Sequence, residues 1–226
     1  LTNVKSPAGA SGFWQFMEST GKNNDLNING HIDERRNIFT STDAAIRYLG
    51  KIHQMLGSWT LAAAAYNMGE EGLKSEILIQ KTRDYYNLYL PLETQRYIFR
   101  IIAAKLIIAD PARYGFILTK DDLYPPLVFD RIEITCAEDM PIQIIAEAAG
   151  TTFKEVKDLN PQIRGYYLAK GRHDIAIPKD AATGFPERLE KLLNQWKADR
   201  QKSSYSVKKG DSLSSIAARF NVPLPA

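Results

Sequence analysis

Amide, phenol and hydroxyl groups gathered at one cleft can orient a substrate and stabilise charge as it develops, and three separated segments of this chain supply them. Ser6-Pro7-Ala8-Gly9-Ala10-Ser11-Gly12-Phe13-Trp14-Gln15 sets glycines and small residues, which allow close backbone approach, before an aromatic pair and one amide. That pattern suits the floor of a ligand groove. Ala62-Ala63-Ala64-Ala65-Tyr66-Asn67-Met68-Gly69-Glu70 ends an apolar, alanine-rich run with a phenol and an amide, polar groups that need partners in such a place. Glu93-Thr94-Gln95-Arg96-Tyr97-Ile98 opens an isoleucine-rich run. Taken singly, each has a plain structural reading: the second is a buried helix with a left-handed stop, Tyr97 is core, and Trp14 and Gln15 are packing and surface residues. Their conjunction carries the functional argument.

The elements that would position these groups are mostly helical up to about residue 115. Between residues 42 and 56, Ala45, Ile46, Leu49, Ile52, Met55 and Leu56 recur at steps of three and four with Arg47, Lys51 and Gln54 between them, which predicts an amphipathic helix. Residues 59–66 are nearly all apolar and predict a helix buried on most sides, stopped by Asn67-Met68-Gly69. Residues 93–109 repeat the amphipathic pattern with Ile98, Ile101, Ile102 and Leu106 inward. Gln15 reads as the start of a short helix that carries Glu18.

After Gly115 the texture changes. Tyr124-Pro125-Pro126 breaks the chain, residues 131–135 and 174–177 alternate as strands, and residues 140–149 and 153–159 read as two short helices. The predicted fold class is α+β: a mostly α domain over 1–115, a linker over 116–128 and a small strand-helix-helix-strand module over 129–180. Residues 181–204 hold an amphipathic helix with Leu189, Leu192, Leu193 and Trp196 on one face, then a polar linker. At a constant offset, Ile134, Ile142, Ile145 and Ala146 match Tyr205, Leu213, Ile216 and Ala217, so 205–226 read as a second, incomplete copy of the module.

Composition narrows the function classes. The 226 residues are 44% apolar and 24% charged, an ordinary globular balance, and 29 Lys+Arg against 26 Asp+Glu leave a net charge of +3 spread along the chain. A nucleic-acid platform is not expected. The apolar stretch from Ile101 to Ala109 is interrupted by Lys105 and falls short of the roughly 20 residues of a membrane span. Cys136 is the only cysteine and reads as a small buried side chain, while His31, His53 and His173 lie too far apart for a metal motif. No metal or other cofactor is implied. Leu1 follows no Met or leader, and the chain stops at Ala226 just as a new element begins, so both ends read as cuts.

In their order and spacing the three segments resemble the catalytic domain of the lytic murein transglycosylases with a goose-type lysozyme fold. The resemblance covers about residues 1–115. Asp33-Glu34-Arg35-Arg36, the stretch 105–116 and the small modules look most like the membrane-bound D type. It implies cleavage of the β-1,4 bond between N-acetylmuramic acid and N-acetylglucosamine in peptidoglycan glycan strands, which become the expected partner. One carboxylic acid protonates the leaving oxygen. The N-acetyl carbonyl assists at C1 and the sugar's own 6-hydroxyl attacks, leaving a 1,6-anhydro end. Members carry that acid in a Glu-Ser pair shortly before the position Ser6 matches, which places it upstream of Leu1; Glu18, Glu70 and Glu71 are not assigned the role. The resemblance implies that Gln15 contacts sugar, that Tyr66 and Asn67 orient the acid or the acetamido group, that Tyr97 stabilises developing charge, that Ser6 sits near the acid, and that Phe13 and Trp14 form apolar walls. Asn67 keeps its second reading as a helix stop.

Residues 205–222 resemble the first strand and helix of a LysM module, which binds N-acetylglucosamine-containing glycans, with Gly210, Asp211 and Ser212 forming the turn that borders its sugar groove. The copy over 129–180 lacks that signature, having Glu138-Asp139-Met140 there, and reads either as a spacer or as a second glycan binder. Two other functions stay open at this point: a hydrolytic muramidase on the same fold, and a non-catalytic peptidoglycan-binding protein. The substrate implies the cell envelope, in the periplasm, with the full-length parent a candidate outer-membrane lipoprotein.

Overall fold

The computed structural model describes residues 4–202 and 206–220. Helices dominate the first half: α1 (Glu18–Lys22), α2 (Ile38–Leu56), α3 (Trp59–Met68), α4 (Glu70–Gln80) and α5 (Leu92–Ala109). Asn37 caps α2, its side-chain oxygen accepting from the amides of Phe39 at 3.0 Å and Thr40 at 3.2 Å. Gly57, with φ +75, ends that helix in the left-handed conformation that favours glycine. α3 packs on α2, α4 and α5. Its Leu61, Ala62, Ala64 and Ala65 are buried, and the alanines let three helices approach one axis closely. Ile52, Leu56, Leu73, Tyr85, Leu88, Leu90 and Ile98 complete that core. A smaller cluster of Phe16, Leu26, Ile28, Ala44 and Ala45 seats the N-terminal loop on α2.

The second half is the expected small module, and the fold class is α+β. β1 (Phe129–Cys136) pairs antiparallel with β4 (Gly171–Pro178), Ile132 facing Ile175 and Ile134 facing His173. Between them run β2 (Met140–Pro141), α6 (Ile142–Ala148), α7 (Phe153–Leu159) and β3 (Tyr167–Leu168), with Met140 paired to Leu168. Ile142, Ile145, Val156, Leu168, Ile175 and Ile177 form its core. α8 (Phe185–Lys202) lays Leu189, Leu192, Leu193 and Trp196 against that core, so the helix is part of the module's packing. Among the described residues no helix is long and apolar enough to cross a membrane.

Several expectations need correction. Of the four α5 residues expected inward only Ile98 is buried; Ile101, Ile102 and Leu106 are exposed. Gln15 does not begin a helix: it has φ +50 in a turn closed by its own amide on Gly12 O at 2.6 Å, and α1 starts at Glu18. Met140 and Pro141 are strand, and the second-half helix begins only at Ile142. α4 was not anticipated, because Gly69-Glu70-Glu71-Gly72 reads as a break; Glu70 and Glu71 instead occupy the first turn, where negative charge favours a helix. The predicted polar linker begins only after Lys202, since α8 runs through Gln201 and Lys202; Ser203 and Ser204, with Tyr205 and residues 221–226, lie outside the described residues.

The two halves meet along residues 27–39. Ile32 forms an antiparallel bridge with Ile163, Asp33 N donates to Gln162 O at 2.8 Å, and Arg164 N donates to His31 O at 2.8 Å. The Ile32 side chain belongs to the module's core. Beside this seam the rings of Phe39 and Phe129 stand 5.4 Å apart under the Arg131 guanidinium, at one edge of a cleft of about 230 Å3.

Candidate functional site

α3 and α5 cross so that residues at steps of three and four on each helix face a common groove. Trp59, Ala63 and Tyr66 come from α3, and Tyr97, Ile98, Ile101 and Ile102 from α5; Trp14, Leu49 and Tyr86 close a cleft of about 520 Å3. Three of the expected residues, Trp14, Tyr66 and Tyr97, therefore share one cavity. Its lining is almost wholly apolar, and among the described residues that form it none is Asp or Glu.

Trp14 is fixed at both ends. Its indole N–H donates to Thr42 Oγ1 at 2.8 Å, and its carbonyl accepts from the Tyr66 hydroxyl at 2.7 Å. The Tyr66 ring packs edge-on to Trp14 and Phe16 and lies 5.6 Å from the Tyr48 ring. Burial, with Tyr97 and Tyr48 nearby, pushes the Tyr66 phenol well above its ordinary value. Tyr48 shifts the same way through burial and the Glu70 carboxylate, and Tyr97 through burial and Glu93. All three are neutral at physiological pH, able to donate and accept hydrogen bonds.

The other expected residues sit beside this cleft. Gln15 does not line this cleft but a separate hollow of about 200 Å3 with Val4, Gly12 and Phe13, the last 45% exposed. Adjacent residues of one extended turn diverge, so Trp14 and Gln15 serve different hollows. Asn67 lies inside α3, and its Oδ1 accepts from Thr94 Oγ1 at 2.8 Å, which ties α3 to α5. The helix stop is Gly69, φ +93, whose amide donates to Ala65 O at 2.9 Å. Ser6 Oγ accepts from Ala10 N at 3.0 Å and closes the loop. Of the acids set aside earlier, Glu18 pairs with Lys22 at 2.6 Å and Glu71 with Lys74 at 2.7 Å, both on the surface.

The N-terminal loop rests on a buried ion pair. Asp33 and Arg35, 1% and 4% exposed, form a two-pronged contact, Nε to Oδ1 and Nη2 to Oδ2, both at 2.8 Å. The remaining Arg35 nitrogen, Nη1, donates to Gly9 O and Phe16 O, each at 3.1 Å. Burial alone would raise the Asp33 carboxyl; hydrogen bonds and charge from Arg35, with Arg36 adding, hold it below its usual range. In the sequence these residues enter only as part of Asp33-Glu34-Arg35-Arg36, a segment that looks like the D type; nothing in their types or spacing marks Asp33 and Arg35 as a buried pair. Trp59 and Tyr86 were also missed, although Trp59 stands seven residues before Tyr66 on one helical face.

In the C-terminal piece, Gly210 has φ +102, Asp211 Oδ2 accepts from Lys208 N at 2.6 Å, and Ser212 Oγ accepts from Ser215 N at 3.1 Å, capping α9 (Leu213–Phe220). Lys208 and Lys209 lie in an exposed turn closed by Asp211 N on Lys208 O at 3.1 Å. In the first module the residues that replace this signature are engaged structurally: Glu138 pairs with Arg200 at 2.8 Å, and Asp139 Oδ1 accepts from Lys170 N at 2.9 Å.

Comparison with known proteins agrees with the resemblance read from the three segments. Residues 1–89 match the Transglycosylase SLT domain family, residues 128–194 the family described as Lytic transglycosylase MltD, LysM-like domain, and residues 205–226 the LysM domain. The chain is 32% identical over 234 aligned positions to "Membrane-bound lytic murein transglycosylase D" of Escherichia coli strain K12, covering 97% of this chain and 51% of that protein. The protein of the same name from Escherichia coli O6:H1 matches with the same figures. The chain thus spans about half the length of the curated relatives it matches.

Proposed function

We propose, for a chain that carries a transglycosylase SLT domain followed by LysM-like domains, that its parent is a lytic transglycosylase cutting the β-1,4 bond between N-acetylmuramic acid and N-acetylglucosamine in peptidoglycan. A carboxylic acid with a raised pKa protonates the leaving oxygen while the N-acetyl carbonyl of the muramic residue assists at C1. The 6-hydroxyl then attacks C1 and returns a proton to the same carboxylate. The product ends in 1,6-anhydromuramic acid and no water is consumed.

The observation that carries this reading is the convergence of Trp14, Tyr66 and Tyr97, far apart in sequence, on one cleft. In it, Trp14 and Trp59 supply apolar walls, Tyr97 stabilises developing charge from α5, and the Tyr66 hydroxyl holds the loop that carries Gln15 and Phe13. Asn67 acts through Thr94 by fixing α3 against α5. None of the described residues lining the cleft is a carboxylic acid, so the proton donor is not assigned to any of them. Gly210, Asp211 and Ser212 border a glycan-binding groove of the C-terminal LysM piece, and the enzyme works in the periplasm on the cell envelope, with an outer-membrane lipoprotein the expected parent form. Mass spectrometry of sacculi digested by the full-length gene product tests the reaction. Fragments lighter by one water than hydrolytic products support it, and reducing ends assign a muramidase instead.

A second reading, a non-catalytic peptidoglycan-binding protein, is favoured by one fact: none of the described residues lining the cleft is acidic. Binding to sacculi without release of any fragment by the full-length product would select it.

A further inference from the structure

We propose that the LysM-like module is a buttress of the Gly9–Phe16 loop, acting through Asp33 and Arg35 as positioning residues. The contacts form one chain. Gln162, in the module, accepts through its carbonyl from Asp33 N at 2.8 Å, and its side-chain oxygen accepts from Asn37 Nδ2 at 3.2 Å. Arg164 adds two bonds, from its amide to His31 O at 2.8 Å and from Nη1 to Asn29 O at 3.0 Å. The Asp33 carboxylate grips Arg35 by two nitrogens, leaving Nη1 to hold the carbonyls of Gly9 and Phe16, the two ends of the loop. Gly12 at its centre lies directly on the Arg35 backbone.

A buried ion pair adds little net stability compared with apolar residues of the same volume, and its best-attested use is to fix one arrangement among several. Here the pair satisfies four of its polar atoms internally and aims the one free nitrogen, Arg35 Nη1, at both ends of the loop, adding to the loop's own bonds from Ser11 N to Phe16 O at 3.1 Å and from Gly12 N to Val4 O at 3.0 Å. The loop carries positive φ at Gly9, Gly12 and Gln15, so its shape must be imposed by neighbours. The module's own seam is equally specific: Ile32 is buried in the module's core, so the strip 29–35 is fixed from one side by the module while it fixes the loop on the other. This accounts for the module without a glycan of its own, the alternative role open to it.

The consequence for catalysis rests on reading the loop as part of the substrate site; the mechanical coupling does not. Hydrogen exchange of the intact chain tests the coupling. Arg164→Pro removes the amide bond to His31 O and the side-chain bond to Asn29 O together; Gln162→Ala/Arg164→Ala removes only side-chain contacts and guards against a misfolded proline variant. Both are expected to speed exchange at the Ser11 and Gly12 amides, by about tenfold for the proline variant, while β1 and β4 amides stay protected. Arg35→Lys, which keeps the charge but loses the planar fork, is expected to loosen the same loop amides without opening Arg164 N–H. Loop exchange unchanged in either module variant would overturn the proposal. Titration with chitotetraose separates the two readings: a wild-type chain that binds no oligosaccharide yet shows the coupled exchange retains the buttress and loses the glycan site.

Discussion

The Tyr66 hydroxyl on α3 donates to the carbonyl of Trp14 at 2.7 Å, so a side chain from the middle of the helical core sets the backbone of a loop that begins near the N-terminus. Tyr66→Phe removes the donor and leaves a partly buried carbonyl unpaired. It is expected to lower stability by about 1–2 kcal/mol. Urea unfolding followed by far-UV circular dichroism checks the value, and a change under a few tenths of that would mean water replaces the phenol at no cost.

Glycines of the loop separate steric contact from backbone strain. Gly12 has φ +78, and a Cβ there would lie 1.8 Å from the Arg35 carbonyl oxygen, closer than any real contact. Gly9 has φ +94 with open space around it. Gly12→Ala must therefore displace the Arg35 strip and is expected to cost about 3 kcal/mol or more, whereas Gly9→Ala meets only the conformational penalty of about 1 kcal/mol. Equal costs in parallel denaturant titrations would refute the close approach.

Much of this architecture could be read from residue spacing, for reasons visible element by element. α2 and α5 present apolar residues at steps of three and four, and the alanine run of α3 packs at the centre, so the existence of those helices was legible; which residues face inward was less so, since Ile46 and Met55 of α2 and Ile101, Ile102 and Leu106 of α5 are exposed. α4 was not, because only Leu73 of its eleven residues is buried and tertiary contact rather than pattern holds it. Trp14, Tyr66 and Tyr97 came together in the sequence only through the resemblance carried by their three segments; taken singly each has a plain structural reading, and the fold brings the three to one cleft. Gln15 was misplaced because a residue other than glycine at φ +50 leaves no compositional trace. The Asp33–Arg35 pair is invisible to periodicity altogether: it is covered on one side by the N-terminal loop and on the other by a module whose Gln162 is more than a hundred residues away.

Acid weakens that pair only below the ordinary aspartate range. The folded Asp33 carboxyl lies below its usual value, so its contribution to stability is fully present above about pH 4, the ordinary aspartate range, and is lost as pH falls further through the folded value. Asp33→Asn is expected to flatten that limb of the stability profile. At neutral pH the same variant leaves Arg35 buried without a counter-charge, at a cost of about 3–5 kcal/mol. Urea midpoints of both proteins from neutral pH down to about 3 check both halves; parallel profiles would show that another carboxylate dominates acid unfolding.

The division between binding and chemistry can be tested on the chain as it stands. Trp14 and Trp59 line the cleft with Tyr66 and Tyr97, giving an oligosaccharide aromatic faces to contact, yet none of the described residues lining it can deliver a proton as a carboxylic acid. The 226-residue chain is therefore expected to change its tryptophan emission when titrated with chitotetraose and to clear no band in a peptidoglycan zymogram. Trp59→Ala, which removes a wall that is 62% exposed and stacks on His53, is expected to weaken binding by roughly 1–2 kcal/mol, as truncating a contacting aromatic does, with a smaller effect on stability. Clearing by the chain alone would require a proton donor among these residues, and Glu70, within reach of Tyr48, would be the first to replace by Gln.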